Sequence, residues 1–305
     1  MLTGRGLPLG IIGIGAMGRN HLRLASTLPG MRLVGIYDQN IEAAQQLATQ
    51  IGTTAFASPE QLLEAVSAVI IATPTTTHYD LAKLAMNAGK HIFIEKPFSG
   101  DPVKAAELAL SAKEKGLLLF VGMIESFNPA FQKLQRLLKG TKLHGIDIKR
   151  FSPFPERITD TDVIFDMMIH DLHLLLLLTS EPIESIKAVA KKIKSPFYDH
   201  VITTIHHNNG LISRVEGNRV FGSKVRNITV TAEKEVFDCD LLNKRIYVRD
   251  FLTPSPSALA IKPFDQISAE LNYFVESIKD KALENSNTNS VIAALKLAQE
   301  VLAAC

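Results

Sequence analysis

The chain has 305 residues, enough for two domains rather than one, and its 46% apolar content describes a well-packed globular protein, not a disordered one. Its 33 Lys and Arg nearly balance 31 Asp and Glu, leaving a formal charge of +2 and no basic field to attract nucleic acid. Two cysteines, Cys239 and Cys305, are too few for a disulfide framework and fit a reducing cytoplasm; no signal peptide is evident, and the run Leu174 to Leu178 is far too short to cross a bilayer.

The first element is an apolar strand that runs into Gly13-x-Gly15-x-x-Gly18 and then into a helical pattern from Met17 to Leu28. Strand, glycine turn and helix in that order form the dinucleotide fingerprint. Gly13 allows the tight turn, Gly15 lets a pyrophosphate approach the backbone, and Gly18 lets the helix pack closely on its strand. The phosphates are expected on the free N–H groups that open the helix, at Ala16, Met17 and Gly18. A second strand, Leu33 to Tyr37, ends in Asp38, placed where an acid binds the adenosine ribose hydroxyls. An acid there repels a 2′-phosphate, which favours NAD over NADP.

Strands and helices then alternate. Helices are predicted over Ile41 to Ile51, from a Ser58 cap with Pro59 in the first turn, from about Thr77 to Asn87, and over Asp101 to Lys115. Short apolar strands lie between them at Ala68 to Ile71, His91 to Ile94 and Leu117 to Val121. This alternation predicts βαβ units and a parallel sheet, a doubly wound Rossmann domain over residues 1–122. The pattern changes near Gly122. A helix follows Asn128-Pro129, a strand spans His144 to Phe151, and Ile164 to Leu178 reads as α-helix. Five β-branched strands follow, at Ile183 to Ile193, Val201 to Ile205, Leu211 to Val215, Val225 to Thr231 and Val236 to Asp240. Asn208-Asn209-Gly210 marks a hairpin. A proline-bearing loop, Thr253 to Pro263, precedes helices at Phe264 to Lys279 and Val291 to Ala304, joined by the polar stretch Asn285 to Ser290. Residues 123–305 are thus expected to form an α+β domain with an open, mostly antiparallel sheet, its C-terminal helix free to pack back on the first domain. Its uncovered face predicts a homodimer or homotetramer.

Two stretches carry chemistry. Glu95-Lys96-Pro97 follows a strand of the parallel sheet, so Lys96 projects from a carboxyl end, where ligands bind in such sheets. A lysine there can donate a hydrogen bond to a developing alkoxide, although most lysines are simply solvated. In Asp166-Met-Met-Ile-His170-Asp171-Leu-His173, Asp166 and His170 lie one helical turn apart. A carboxylate that holds an imidazole fixes its tautomer and strengthens it as a base. The plainer reading is a helix acid and a core histidine. Asp166, His170 and His173 could also be read as metal ligands, but no other ligand cluster supports a metal.

Gly13-x-Gly15-x-x-Gly18, Asp38, Thr73-Pro74 with His78, Glu95-Lys96-Pro97 and Asp166-x-x-x-His170, in that order along nearly the whole chain, resemble the glucose-fructose oxidoreductase, inositol dehydrogenase and rhizopine catabolism (Gfo/Idh/MocA) family. The resemblance implies a nicotinamide-dependent enzyme acting on a sugar or polyol. It implies Lys96 and His170 as the catalytic pair, with Asp166 supporting the histidine or touching substrate. Thr73, Pro74, His78, Glu95 and Lys96 join the cofactor contacts, and the Lys96–Pro97 bond is expected to be cis.

A narrower likeness lies in Glu125-Ser-Phe-Asn128-Pro129, in Phe151-Ser-Pro-Phe-Pro-Glu-Arg157 and in Val163 to Asp171, which resemble the UDP-N-acetylglucosamine 3-dehydrogenase branch. That branch implies oxidation of the 3-hydroxyl to a ketone, which an aminotransferase then aminates on the way to a 2,3-diamino sugar for lipid A. Asn128, Asp166, His170 and Lys96 are then expected at the sugar. Arg157 suits the diphosphate, since a planar guanidinium matches phosphate; its plainer reading is a solvated loop residue. A free-sugar or inositol dehydrogenase fits the same family pattern. Outside enzymes, a non-catalytic NAD-binding sensor could use the same pair of domains, but retention of both Lys96 and His170 argues against it.

Overall fold

The computed structural model describes residues 6–96, 101–156, 161–252, 255–280 and 286–305. The chain divides into two compact units, Met1–Ile124 with Asp265–Ile292, and Glu125–Phe264 with Ala293–Cys305.

The first unit is built on β1 (Leu7–Ile12), α1 (Ala16–Ala25), β2 (Met31–Tyr37), α2 (Ile41–Ile51), β3 (Thr54–Ala55), α3 (Pro59–Ala65), β4 (Ala68–Ile71), α4 (His78–Asn87), β5 (His91–Glu95), α5 (Pro102–Glu114) and β6 (Leu119–Gly122). Its six strands are parallel in the order β3-β2-β1-β4-β5-β6. The four residues of β4 are completely buried, which is why this strand reads as an unbroken apolar run rather than an alternating one. Chain order reverses across β1 and β4, and in sheets of this kind the carboxyl ends beside that reversal form the binding edge.

The second unit contributes α6 (Pro129–Leu138), β7 (Leu143–Phe151), α7 (Ile169–Leu178), β8 (Ile183–Lys191), β9 (His200–His207), β10 (Ile212–Asn218), β11 (Val225–Ala232), β12 (Glu235–Asp240), β13 (Arg245–Asp250) and β14 (Ser257–Leu259). The eight strands run β14-β13-β12-β11-β7-β10-β9-β8. Helix α7 packs on β7 and β10, and α6 on β12 and β13. In β9 the buried residues alternate, Val201, Thr203, Ile205 and His207, as a sheet covered on one face requires. The predicted hairpin is present: Gly210 has φ +84° and its N–H donates to the His207 carbonyl at 2.9 Å.

Several details depart from the sequence expectation. Within the mostly antiparallel sheet, β7 and β10 pair in parallel. The expected loop from Thr253 to Pro263 contains β14, which pairs with β13, itself not anticipated. Residues Ile164–Met168 form a π-turn rather than the start of an α-helix. Helix α8 (Gln266–Lys279) belongs to the first unit, although the sequence predicts it in the second domain. Phe274 explains this placement, since its ring meets Phe93 and Phe120 at centroid distances of 5.7 and 5.9 Å. Helix α9 (Ser286–Ala303) begins inside the polar stretch expected to join two helices. Its polar residues serve edge strand β6: the Val121 N–H donates to Asn287 at 2.7 Å, and the Thr288 hydroxyl donates to the Leu119 carbonyl.

The glycine turn fixes the geometry of the first unit's edge. Gly13 has φ +93°, a conformation side chains disfavour. A Cβ on Gly18 would fall on the carbonyl oxygen of Gly13, whereas one on Gly15 would meet nothing within 4 Å. Gly15 also has an ordinary φ of −63°. The two positions should therefore separate cleanly. Gly18→Ala should lower the melting temperature of the cofactor-free protein, at an overpacking cost of about 1–3 kcal/mol. Gly15→Ala should melt within about 0.5 kcal/mol of wild type yet lose most of its dinucleotide affinity in a titration. Retained affinity would remove Gly15 from the phosphate site.

Candidate functional site

In the first unit the expected residues gather at the carboxyl ends of β1, β2, β4 and β5. Asp38, half-buried after β2, accepts the Ile14 N–H at 2.8 Å on one oxygen and the Asn40 N–H at 2.9 Å on the other. The ribose acid is thereby tied to the glycine turn. Asn40, Ser58 and Asp101 cap α2, α3 and α5 with their side chains, but no side chain caps α1. The N–H groups of Ala16, Met17 and Gly18 thus open a helix whose positive end faces outward, and Gly15 and Ala16 are exposed there. An uncapped helix end, open space at Gly15 and an acid at the end of β2 together fit a dinucleotide.

Thr73 lies against Gly13, where its methyl would meet a Cβ at 2.9 Å. Pro74 leads into a 3₁₀ turn, Thr75–Thr77. His78 is expected at the cofactor. It is 1% exposed instead, with Nε2 2.8 Å from the Thr73 carbonyl oxygen, so it braces the Thr73–Pro74 turn from below. Glu95 likewise turns inward. One carboxylate oxygen is 2.6 Å from Nε2 of the fully buried His21, and the other accepts the Lys96 N–H at 3.3 Å. The His21 ring packs edge-on against Phe93 at 5.0 Å. Gly122, paired with Glu95 across β5 and β6, leaves room for that carboxylate: a Cβ there would stand 3.1 Å from Phe93 and 3.4 Å from Glu95. Lys96 is half-buried on the turn so built. Pro97, and with it the expected cis bond, lies outside the described residues.

In the second unit Asp166 sits in the π-turn and His170 in the first turn of α7, half-buried and 8% exposed respectively. The wide turn has a packing cause. Met168 lies directly on Gly217 of β10, a position where any Cβ would strike its side chain, and Val163 flanks the same glycine. Single π-turns of this sort recur at functional sites. His173 is 2% exposed, and burial pushes its pKa down to about 4, so it stays neutral in the core. Among the described residues no cluster of His, Cys, Asp or Glu could hold a metal ion. Asn128, expected at the sugar, is 1% exposed and structurally occupied. Its oxygen accepts the Ala130 N–H at 2.9 Å as the cap of α6, and its amide donates to the Leu241 carbonyl at 2.9 Å. Arg157 lies outside the described residues.

The residue after His170 holds α7 in place. Asp171 accepts from Arg150 Nε at 2.9 and 2.8 Å and pairs with its terminal nitrogen at 2.8 Å. Glu125 meets Arg150 at 3.2 Å and Arg226 at 2.5 Å. Burial opposes the Arg150 charge, but Asp171 and Glu125 outweigh it and keep the guanidinium firmly protonated. Neither this network nor His21 has a role assigned from sequence. Both leave a signal there. Arg150 follows Ile146 and Ile148 on the core-facing parity of β7, and His21 falls on the buried stripe of α1 with Gly18, Leu22 and Ala25.

Comparison with known proteins agrees with both halves. Residues 7–123 match the model of the oxidoreductase family with an NAD-binding Rossmann fold, and residues 147–237 match the GFO/IDH/MocA C-terminal domain. A UDP-N-acetylglucosamine 3-dehydrogenase of Acidithiobacillus ferrooxidans is 36% identical over 240 residues, covering 78% of this chain and 75% of the relative. The scyllo-inositol 2-dehydrogenase (NAD(+)) of Bacillus subtilis is 27% identical over 295 residues, covering 88% and 85%. Among solved structures, UDP-N-acetylglucosamine 3-dehydrogenase GnnA from A. ferrooxidans superposes with a TM-score of 0.91 at 31% identity, covering 98% of this chain and 97% of that one. The first unit is an NAD-binding Rossmann domain, and the chain belongs to the GFO/IDH/MocA oxidoreductase family.

Proposed function

We propose that the chain oxidises the 3-hydroxyl of UDP-N-acetylglucosamine to a ketone with NAD. The supporting observation is its 36% identity to a UDP-N-acetylglucosamine 3-dehydrogenase, joined by a fold match over 98% of the chain. NAD supplies the hydride acceptor. The N–H groups at Gly15 to Gly18 take its phosphates, and Asp38 takes its adenosine ribose. His170 removes the hydroxyl proton, with Asp166 one turn away to orient it, and Lys96 donates a hydrogen bond to the oxygen as charge grows there. Thr73 and Pro74 border the cofactor, while His78 and Glu95 hold those contacts from behind. Arg157 binds the diphosphate.

The ketone is an electrophile, and an aminotransferase is the reaction partner that consumes it. Exposed Val189 and Ile193, on and just after β8, together with Ile212 on β10, favour a homodimer or homotetramer through the second unit, which light scattering would measure. Two free cysteines accord with a cytoplasmic enzyme.

General acid–base help is worth roughly 10²–10⁴-fold. Lys96→Ala and His170→Ala should therefore each lower kcat at least about a hundredfold while NAD affinity stays near wild type; wild-type turnover in either variant would cancel its assigned role. The substrate is tested by NADH absorbance, with UDP-N-acetylglucosamine, free N-acetylglucosamine, glucose and myo-inositol supplied in parallel. An aminotransferase with glutamate is added to draw off the ketone. Signal from the nucleotide sugar alone is expected, and Arg157→Ala should raise its KM without affecting NAD binding. Signal from a free polyol alone would instead favour an inositol-type activity, as in the B. subtilis relative.

A further inference from the structure

A second acid backs the Glu95–Lys96 turn. Glu270 on α8 is 2% exposed, takes the Met123 backbone N–H, and lies in the field of Glu95. Its Oε1 is buried without a hydrogen-bond partner among the described residues. A carboxyl so deeply buried, with another carboxylate nearby, favours its protonated form.

The surroundings of the two acids differ. Glu95 has the His21 nitrogen at 2.6 Å, the Lys96 N–H and 13% of its side chain in solvent. Glu270 has one backbone N–H. The other titratable groups near the pair are His21 from α1 and Lys96 on the turn itself. Phe93, Phe120 and Phe274 pack around β5, β6 and α8 as apolar walls, with Tyr273 at the Phe120 ring. Burial first, and the Glu95 charge second, push the Glu270 pKa well above the usual carboxylate range.

We propose that Glu270 is a positioning residue for the reaction: from α8 it fixes the Glu95 carboxylate against His21, and Glu95 fixes the turn that carries Lys96. The proposal rests on the role given to Lys96 above. As a neutral acid, Glu270 adds no second negative charge beside Glu95. Nothing on α8 then needs to touch the substrate for α8 to govern the lysine.

The sign of the pH effect follows. An acid whose folded pKa is raised contributes stability that is complete below the unfolded carboxyl pKa and is lost as pH rises toward the folded value. Glutamine mimics the neutral form and cannot lose a proton. The melting temperature of Glu270→Gln, measured on the full NAD-loaded chain, should therefore gain on wild type as pH rises above the ordinary carboxyl range.

Three measurements test the proposal together. An infrared difference spectrum between wild type and Glu270→Gln at neutral pH should show a protonated carboxyl band that the variant lacks. Glu270→Leu should lower kcat about tenfold or more, as a shifted catalytic group does, with the KM values for NAD and sugar little changed. Glu270→Gln should rescue that loss and hold its kcat to higher pH than wild type. Absence of the infrared band, wild-type kcat in Glu270→Leu, or a Glu270→Gln variant as slow as the leucine variant would each overturn the proposal. Lys96→Ala run beside them separates the two readings. If it keeps wild-type turnover, the lysine assignment fails and the positioning role falls with it, whereas the infrared band reports the Glu270 proton whatever Lys96 does.

Discussion

The carbonyl oxygen of Gly13 occupies the place where a side chain on residue 18 would begin, and the first unit's chemistry depends on that contact. Because residue 18 has no Cβ, α1 can start directly above β1, with its uncapped N–H groups at the sheet's carboxyl edge. The same closeness lets the Ile14 N–H reach Asp38, so the acid at the end of β2 and the phosphate turn at the end of β1 are held as one piece. It also carries His21, one turn along α1, down to the sheet, where it meets Glu95 at the end of β5. One missing methyl group thus links three strand ends. A backbone hydrogen bond or an apolar contact could not do this, since each reaches only its own neighbour.

The second unit solves a similar problem with charge. His170 opens α7 directly after a π-turn, where the helical hydrogen-bond register changes. The adjacent Asp171 is clamped by Arg150, which is anchored in turn by Glu125. Buried ion pairs of this kind add little net stability over apolar packing, but breaking one leaves a bare charge and costs about 3–5 kcal/mol. Their value here is geometric. A leucine pair in the same place would tolerate α7 sliding or rolling, whereas a carboxylate hydrogen-bonded to the Arg150 guanidinium is directional.

Much of this is legible in the sequence because the relevant signals are local. Glycine spacing, the acid ending the second strand and the alternation of strand with helix depend on neighbours within about thirty residues. The parallel sheet and the cofactor edge follow from them. Asp166 and His170 are visible as an i, i+4 pair, yet the π-turn between them is not, because its cause is Gly217 on a distant strand. The family pattern points to Asn128 and His78 as ligand contacts. The structure gives them structural tasks, since a motif records which residues recur and not what each one touches. The start of α9 escapes local reading for a different reason. Asn287 and Thr288 are poor helix formers in isolation, and they are helical because the edge of β6 supplies hydrogen-bond partners 166 and 169 residues away in sequence.

Polar residues on core-facing parity are the places where local reading and tertiary structure disagree most usefully. Arg150, His21 and Glu270 each occupy a position that periodicity assigns to an apolar side chain. A well-packed domain does not keep a buried charge or imidazole there for stability, because an apolar residue of similar volume is as good or better. Two of the three lie beside the Glu95–Lys96 turn, and the third beside His170. These violations of the hydrophobic pattern therefore stand behind the proposed catalytic pair. That placement is expected when a site needs supports that a hydrophobic contact is too permissive to provide.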